Sequence, residues 1–326
     1  MPGTAGRGRI VLARLLAARG AVAGAVVVLL LFLLAFVGPH LTPWDYATPD
    51  YGALRRPPSA AHWFGTNGIG QDVFAQTLRG LQKSLVIGLL VALFSTVLAS
   101  LVGACAGYFG GWTDRLLMFL VDLMLVFPSF LVITIVSPRL KGAGWLAFVL
   151  LLALFNWMIT ARVVRSMTLS LREREFVLAA RFMGVHPLRI ITRHVLPNVA
   201  SFLIIDATVA VGGAVMSETA LSYFGFGVKA PDVSLGTLLA AGTSEAPVFP
   251  WLFYFAAGLL VLFVLAVNLI GDGLRDALDP TAEAARRPRR SRRSRSPGPG
   301  RGPDHGDHGD HVDRGHDRAT RKRNRT

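Results

Sequence analysis

Charge is what this sequence has little of. Asp, Glu, Lys and Arg make up 17% of its 326 residues, where a soluble domain carries about 25%. Hydrophobic residues make up 52%. Scarce charge with long apolar runs points away from a soluble globule and to a polytopic membrane protein. Cysteine is nearly absent too. The single one, Cys105, has no partner for an internal disulfide, and its apolar surroundings mark it as a small packing residue. The signatures of catalysis are also missing. No G-x-x-x-x-G-K-[ST] loop occurs, so the chain has no Walker-type ATPase site of its own. No H-E-x-x-H or G-x-S-x-G occurs. An intramembrane protease needs a nucleophile and base, or metal ligands, at membrane depth; His40, His62, His186 and His194 all fall outside the apolar runs. No pattern asks for a cofactor.

What is present is a set of apolar stretches. Six match the roughly 17–25 residues that a helix needs to cross a bilayer: about 21–38, 84–108, 116–136, 145–161, 199–221 and 251–271. Helices are the default, because an open sheet edge cannot face lipid. The expected fold is an all-α polytopic membrane protein with six transmembrane helices. Arg7, Arg9, Arg14 and Arg19 precede the first run, which is longer than a signal-peptide core of about 7–15 residues. An uncleaved anchor is expected. The organisation is a segment 1–20, a membrane domain 21–280 and a tail 281–326.

The net charge is +14, and its placement matters more than its size. Residues 282–326 hold 14 Arg and Lys against 6 acids. With the N-terminus inside, the inner segments hold 27 of the Arg and Lys residues and the outer segments 7; without the tail the inner count is still 13. Such asymmetry sets membrane orientation, so both termini are expected in the cytoplasm and no nucleic acid is expected as a partner. The tail has almost no apolar residues and is expected to be disordered. Its arginine run suits anionic membrane lipids, at about 1 kcal/mol per residue near the surface. His305, His308, His311 and His316 alternate with aspartates there; a solvated tail is favoured over a metal site.

The fourth and fifth runs are joined by a charged segment with its own grammar. In EFVLAARFMGVHPLRIITRHVLPN (175–198), Phe176, Ala179, Ala180 and Met183 recur at helical spacing. Gly184 suits the left-handed turn that stops a helix, and Pro187 suits the first turn of a second one. Leu188, Ile191 and Val195 then line one face, and Pro197 closes the unit before the fifth span. The spacing predicts a short helix-turn-helix at the inner membrane surface. A lipid-bound interfacial helix fits the periodicity equally, but not the stop and restart.

Two alanines, three residues, a glycine, nine residues, a position, one residue and Leu-Pro form a recognisable pattern. Ala179, Ala180, Gly184, His194, Leu196 and Pro197 occupy it, and the segment resembles the cytoplasmic coupling loop, or EAA motif, of ABC-importer permeases. Leu178 stands where that motif has Glu, and His194 where Ile is usual. EFVLAAR, with its acid at Glu175, is similar to the dipeptide/oligopeptide/nickel branch. HWFGTNGIGQDVFAQTLRG (62–80) resembles that branch's signature, with Asn67 and Gln71 replacing common Asp and Arg. GYFGGWTDRLLMFLVDLMLVFPSFL (107–131), ETALSYFGFGV (218–228) and NLIGDGLRDALDP (268–280) resemble its later regions. The likeness covers about residues 10–280 and matches the second, C-type permease of the pair.

The resemblance implies a machine rather than an enzyme. Two permeases, here a heterodimer, form the pathway; two cytoplasmic ATPase subunits drive it; an extracytoplasmic substrate-binding protein delivers solute. The coupling loop of each permease docks on an ATPase. Glu175, Ala179, Ala180, Gly184, Leu196 and Pro197 are the residues expected there, with Arg172 and Arg181 as further pairing groups. Peptides are the expected cargo, with nickel or another small solute as the alternative. A self-sufficient secondary transporter would show an inverted repeat, and none is evident.

Acids within apolar runs are costly, about 2.5–3.5 kcal/mol at a helix centre. Asp122 is expected to be structural, on the same face as Arg115. Asp206 and Glu218 are candidates for the pathway. Asn156 and Asn268 are expected to bond between helices, and Gly103 and Gly107 to allow close packing. Close packing is also the expected role of Gly212 and Gly213. Asp72 is expected to cap a helix through Val73–Leu81 lying at the outer interface. Residues 39–83 and 222–250 are the outer segments available to a binding protein.

Overall fold

Apolar runs that cannot leave backbone groups unpaired in lipid form helices, and helices dominate the computed structural model, which describes residues 13–140 and 144–278. The basic start at Arg7 and Arg9 and the tail from 281 lie outside these residues. Among the described residues there are two isolated bridges and no β-strand. Four helices are long and apolar enough to cross a membrane, and two bent pairs raise the number to six when each pair counts as one span.

The centre of the bundle is α2, Val73–Phe109, 37 residues in one piece. At 1.5 Å per residue it is about 55 Å long, well beyond a hydrocarbon core of about 30 Å. Asp72 caps it by accepting the Ala75 N–H at 2.7 Å. The separate outer helix expected through Leu81 is therefore the first part of this long helix. It does not lie flat at the interface, because Val73, Phe74, Leu78 and Leu81 are buried by protein.

Around α2 stand α1 (Arg19–Val37), α9 (Leu196–Tyr223), a short α10 (Leu235–Thr243) and α11 (Trp251–Leu278). They share a core of Leu31, Leu81, Leu85, Val215, Leu235, Leu260 and Phe263. Small residues set the α1–α11 distance: a Cβ on Gly24 would lie 2.5 Å from the Ala266 carbonyl oxygen. Ser234 and Thr237 close a reciprocal capping box on α10.

The third and fourth spans are broken. α3 (Gly111–Val126) and α4 (Ser129–Val136) meet at 79°. The sequence offered 116–136 as one span; Pro128 lacks an N–H and disfavours helix at Phe127, which is extended at ψ 125. α5 (Gly144–Asn156) and α6 (Met158–Arg172) meet at 46°. The fourth span was expected to stop near Ala161, but helix continues to Arg172 because Ala161, Val164 and Thr168 stay buried. Gly103 and Gly107 admit this helix. Cβ atoms there would lie 2.5 Å from the Ala161 oxygen and 2.7 Å from the Arg165 oxygen.

Three packing expectations fail. Asn156 donates to the Leu152 carbonyl of its own helix at 2.8 Å, not across to another. A Cβ on Gly213 would meet nothing within 4 Å, and one on Gly212 would make only an ordinary contact with Val267 at 3.5 Å. No close approach requires either glycine.

Candidate functional site

The end of the bundle where α2 turns into α3 also carries the charged segment. There α7, Glu175–Phe182, starts after extended Arg174. It stops where Gly184 takes φ +73. The Gly184 N–H bonds to the Arg181 oxygen and the Val185 N–H to the Ala180 oxygen, at 3.0 and 3.1 Å. This 5→2 and 6→1 pair satisfies the last carbonyls of the helix. Pro187 then opens α8, Pro187–Ile190.

The predicted stop and restart are thus present, but the second helix does not end at Pro197. A widened π turn, Ile191–Val195, carries α8 directly into α9, with the Leu196 N–H bonding to the Ile191 oxygen. Pro197 sits in the first turn of α9. A proline ring would clash with the carbonyl four residues back in a regular helix, and a one-residue widening relieves that clash.

Of the apolar face read from the sequence, Ala180 alone turns inward. Val177 and Ala180 turn inward with Ile190, packed by Tyr108 and Val185. Phe176 and Ala179 are exposed, and Met183 is 75% exposed. Two apolar stripes run along this short helix, and the chain buries the one that meets Tyr108 at the end of α2. Of the six residues expected in the coupling loop, Ala180 and Leu196 pack inward, while Glu175, Ala179, Gly184 and Pro197 are exposed. The sequence reading passed over Phe182. Its side chain is 88% exposed, beside Met183 and half-exposed Leu188. Arg181 and Arg189, also exposed, flank this apolar knob in the sequence. Arg172, another expected pairing group, instead donates to the Gly107 carbonyl at 3.2 Å.

The acids within the spans have definite partners. Asp206 on α9 accepts from the Thr160 hydroxyl of α6 at 2.8 Å. Asp122 on α3 pairs with Arg162 of α6, not with Arg115. Residues seven apart on one helix are about 10 Å apart along the axis, whereas α6 passes directly beside α3. Glu218 is fully buried. It accepts from Ser84 at 2.9 Å and Ser222 at 2.6 Å. Those hydroxyls accept the Leu235 and Val228 N–H groups in turn. Glu218 therefore faces no open surface in this structure, contrary to the pathway expectation. It ties α2, α9, the 224–234 loop and the start of α10 together.

The tie is testable. Glu218→Gln keeps an acceptor and gains a donor, and the serine hydroxyls can rotate to suit it. Glu218→Leu strands both hydroxyls at about 1–3 kcal/mol each. Thermal unfolding in detergent is expected to show the Leu variant melting several degrees below wild type and the Gln variant close to it. Equal melting of the two would remove this role. Among the described residues no cluster of His, Cys, Asp and Glu is arranged to hold a metal ion.

Known proteins are similar to this chain. The family described as "Binding-protein-dependent transport system inner membrane component" matches residues 95–283. That described as "N-terminal TM domain of oligopeptide transport permease C" matches residues 6–58. The oligopeptide transport system permease protein OppC of Mycobacterium tuberculosis (strain H37Rv) is 57% identical over 284 residues, covering 87% of this chain and 98% of that protein. The OppC of Bacillus subtilis is 34% identical, covering 80% and 85%. A putative peptide permease protein of Brucella suis is 40% identical, covering 83% and 90%. Among solved structures, the inward-facing MetNI methionine ABC transporter gives a TM-score of 0.50 at 20% identity, over 63% of this chain and 97% of that one, a likeness of fold. The chain belongs to the binding-protein-dependent transport system inner membrane component family and is a multi-pass transport permease.

Proposed function

We propose that this permease imports oligopeptides across the cytoplasmic membrane as the C-type half of a heterodimeric pathway. Two cytoplasmic ATPase subunits supply the energy, and an extracytoplasmic binding protein supplies the peptide. The names of the relatives support the cargo. The lack of a phosphate-binding loop supports external energy. The observation that carries the reading is the exposed apolar knob of Phe182 and Met183 beside a helix packed through Val177 and Ala180 against Ile190 and Tyr108. A rigid lever with an apolar tip transmits motion from whatever grips it. We place the gripping end and both termini on the cytoplasmic side.

The test is purification and reconstitution. The tagged chain should bring down a second permease and ATPases, and proteoliposomes of the complex should take up a labelled tripeptide only with ATP and binding protein. Uptake by the isolated chain, or a complex that ignores peptides, sinks the proposal.

The two alanines make a sharper contrast. Ala179 is exposed and Ala180 is 2% exposed. Ala179→Trp is expected to leave the permease folded while lowering ATPase co-purification about tenfold, the effect of some 1.4 kcal/mol at an interface. Ala180→Trp overpacks the Tyr108 contact and is expected to lower the yield of folded permease itself. Fluorescence-detected size exclusion of the tagged protein separates the outcomes.

A further inference from the structure

The Asp122–Arg162 pair lies in spans three and four, yet its side chains are 59% and 48% exposed. Asp122 is eleven residues after the start of α3, Arg162 ten before the end of α6, and Asp206 ten after the start of α9. At 1.5 Å per residue Asp122 and Arg162 lie about 15 Å from the α7 end of their helices, and the Thr160 bond sets Asp206 at the same level. All three lie in helices that form candidate membrane spans.

The wheel of α6 explains their arrangement. Ala161, Val164 and Thr168 are buried, and the glycines of α2 approach Ala161, Val164 and Thr168. Thr160 turns to α9 and its Asp206; Arg162 turns to α3 and its Asp122. The face opposite α2 carries Ile159, Val163 and Ser166, all exposed. A free stripe thus runs along α6 with charge on both flanks. Lipid cannot be what covers it. A long arginine near a helix end snorkels to the headgroups, but Arg162 turns to Asp122 instead, and an aspartate is too short to snorkel. Charged residues inside membranes face a partner or a water-filled cavity.

We propose that this face of α6 is a water-lined wall of the translocation pathway and a subsite for the charged ends of a zwitterionic peptide. Asp206 meets the ammonium group and Arg162 the carboxylate. Thr160 occupies one oxygen of Asp206 and orients the other. Asp122 holds Arg162 level with the stripe and moderates its charge, so that the peptide is released. The inference rests on peptide import as the function.

The chain has one cysteine, so a single Cys105→Ser change clears the background. In the full complex, Val163→Cys and Ser166→Cys are treated with a charged methanethiosulfonate, with Leu93→Cys as control, a residue 57% exposed on α2. The stripe is expected to react at least about tenfold faster than the control, since only water ionises the thiol and admits the reagent. Modified Val163→Cys should lose uptake. Rates equal to the control overturn the proposal and leave a dry subunit interface. Asp206→Asn is then expected to raise KM about tenfold for free tripeptide, one charge-assisted hydrogen bond, and not for the N-acetylated peptide. The double change Asp122→Asn, Arg162→Gln should do so for the free carboxylate and not for the C-terminal amide. Equal losses on free and capped peptides overturn the subsite. If the unmodified complex carries no peptide at all, the import reading fails first; if it does and the stripe is silent, only this inference fails.

Discussion

Phe182→Asp is expected to abolish transport while leaving the permease intact in the membrane. The side chain is 88% exposed, so within this chain the ring buries almost nothing and its removal should leave the melting temperature within error. Docked on an ATPase, the same position would be desolvated. A carboxylate taken out of water without a partner costs several kcal/mol, and each 1.4 kcal/mol is a factor of ten in affinity. Co-purification of the ATPases should fall at least about a hundredfold, and ATP-dependent uptake with it. Phe182→Leu retains an apolar tip and should keep most of both. The pair separates a docking role from an incidental exposed aromatic: full uptake with the Asp variant would show that the knob is not gripped.

Which parts of this architecture were legible follows from what each signal encodes. Composition and run length found the spans, because lipid leaves helices as the solution for a buried backbone. Gly184 and Pro187 were legible because each has a backbone requirement of its own, a left-handed turn and a fixed φ. Direction was harder to read. Helical spacing placed apolar residues on α7, yet two stripes fit that spacing, and the choice between them was made by Tyr108, 69 positions before Val177. Pro197 was misread for the same reason: a proline disrupts a helix locally, but a π turn absorbs it when the flanking residues Ile191 and Val195 are buried. Pro128, with the same chemistry, sits where α3 has few inward residues to hold it straight, and there the span breaks. The polar partners were least visible. Arg162 for Asp122, Thr160 for Asp206, and Ser84 with Ser222 for Glu218 are tertiary pairings, and a serine in a span carries no mark of its acceptor.

Gly107→Val is expected to impair both the assembly of the transporter and its uptake. GxxxG in an apolar run is a weak signal in sequence, because small residues are common in membrane helices. The structure supplies what the pattern lacks: the identity of the surface opposite. A Cβ on Gly107 would lie 2.7 Å from the Arg165 carbonyl oxygen and 2.7 Å from the Thr168 Cβ, and one on Gly103 2.5 Å from the Ala161 oxygen. Backbone oxygens of a helix cannot rotate aside as a flexible side chain does. Relief requires α6 to move away from α2. That displacement reaches both proposed regions at once. It pulls Arg172 from the Gly107 carbonyl that it now bonds, loosening the root of α7, and it shifts Thr160 and Arg162 relative to Asp206 and Asp122. Overpacking alone costs about 1–3 kcal/mol, and the lost polar contacts add to it. The yield of assembled transporter and the uptake per assembled transporter should therefore both fall, each by about tenfold or more, as measured by quantitative membrane immunoblot and vesicle uptake. Gly213→Ala is the matching control, because its Cβ meets nothing within 4 Å and alanine favours helix by about 1 kcal/mol. A Val variant at 107 with normal assembly and uptake would mean that α2 and α6 are not locked together, and that the docking end and the polar stripe move independently.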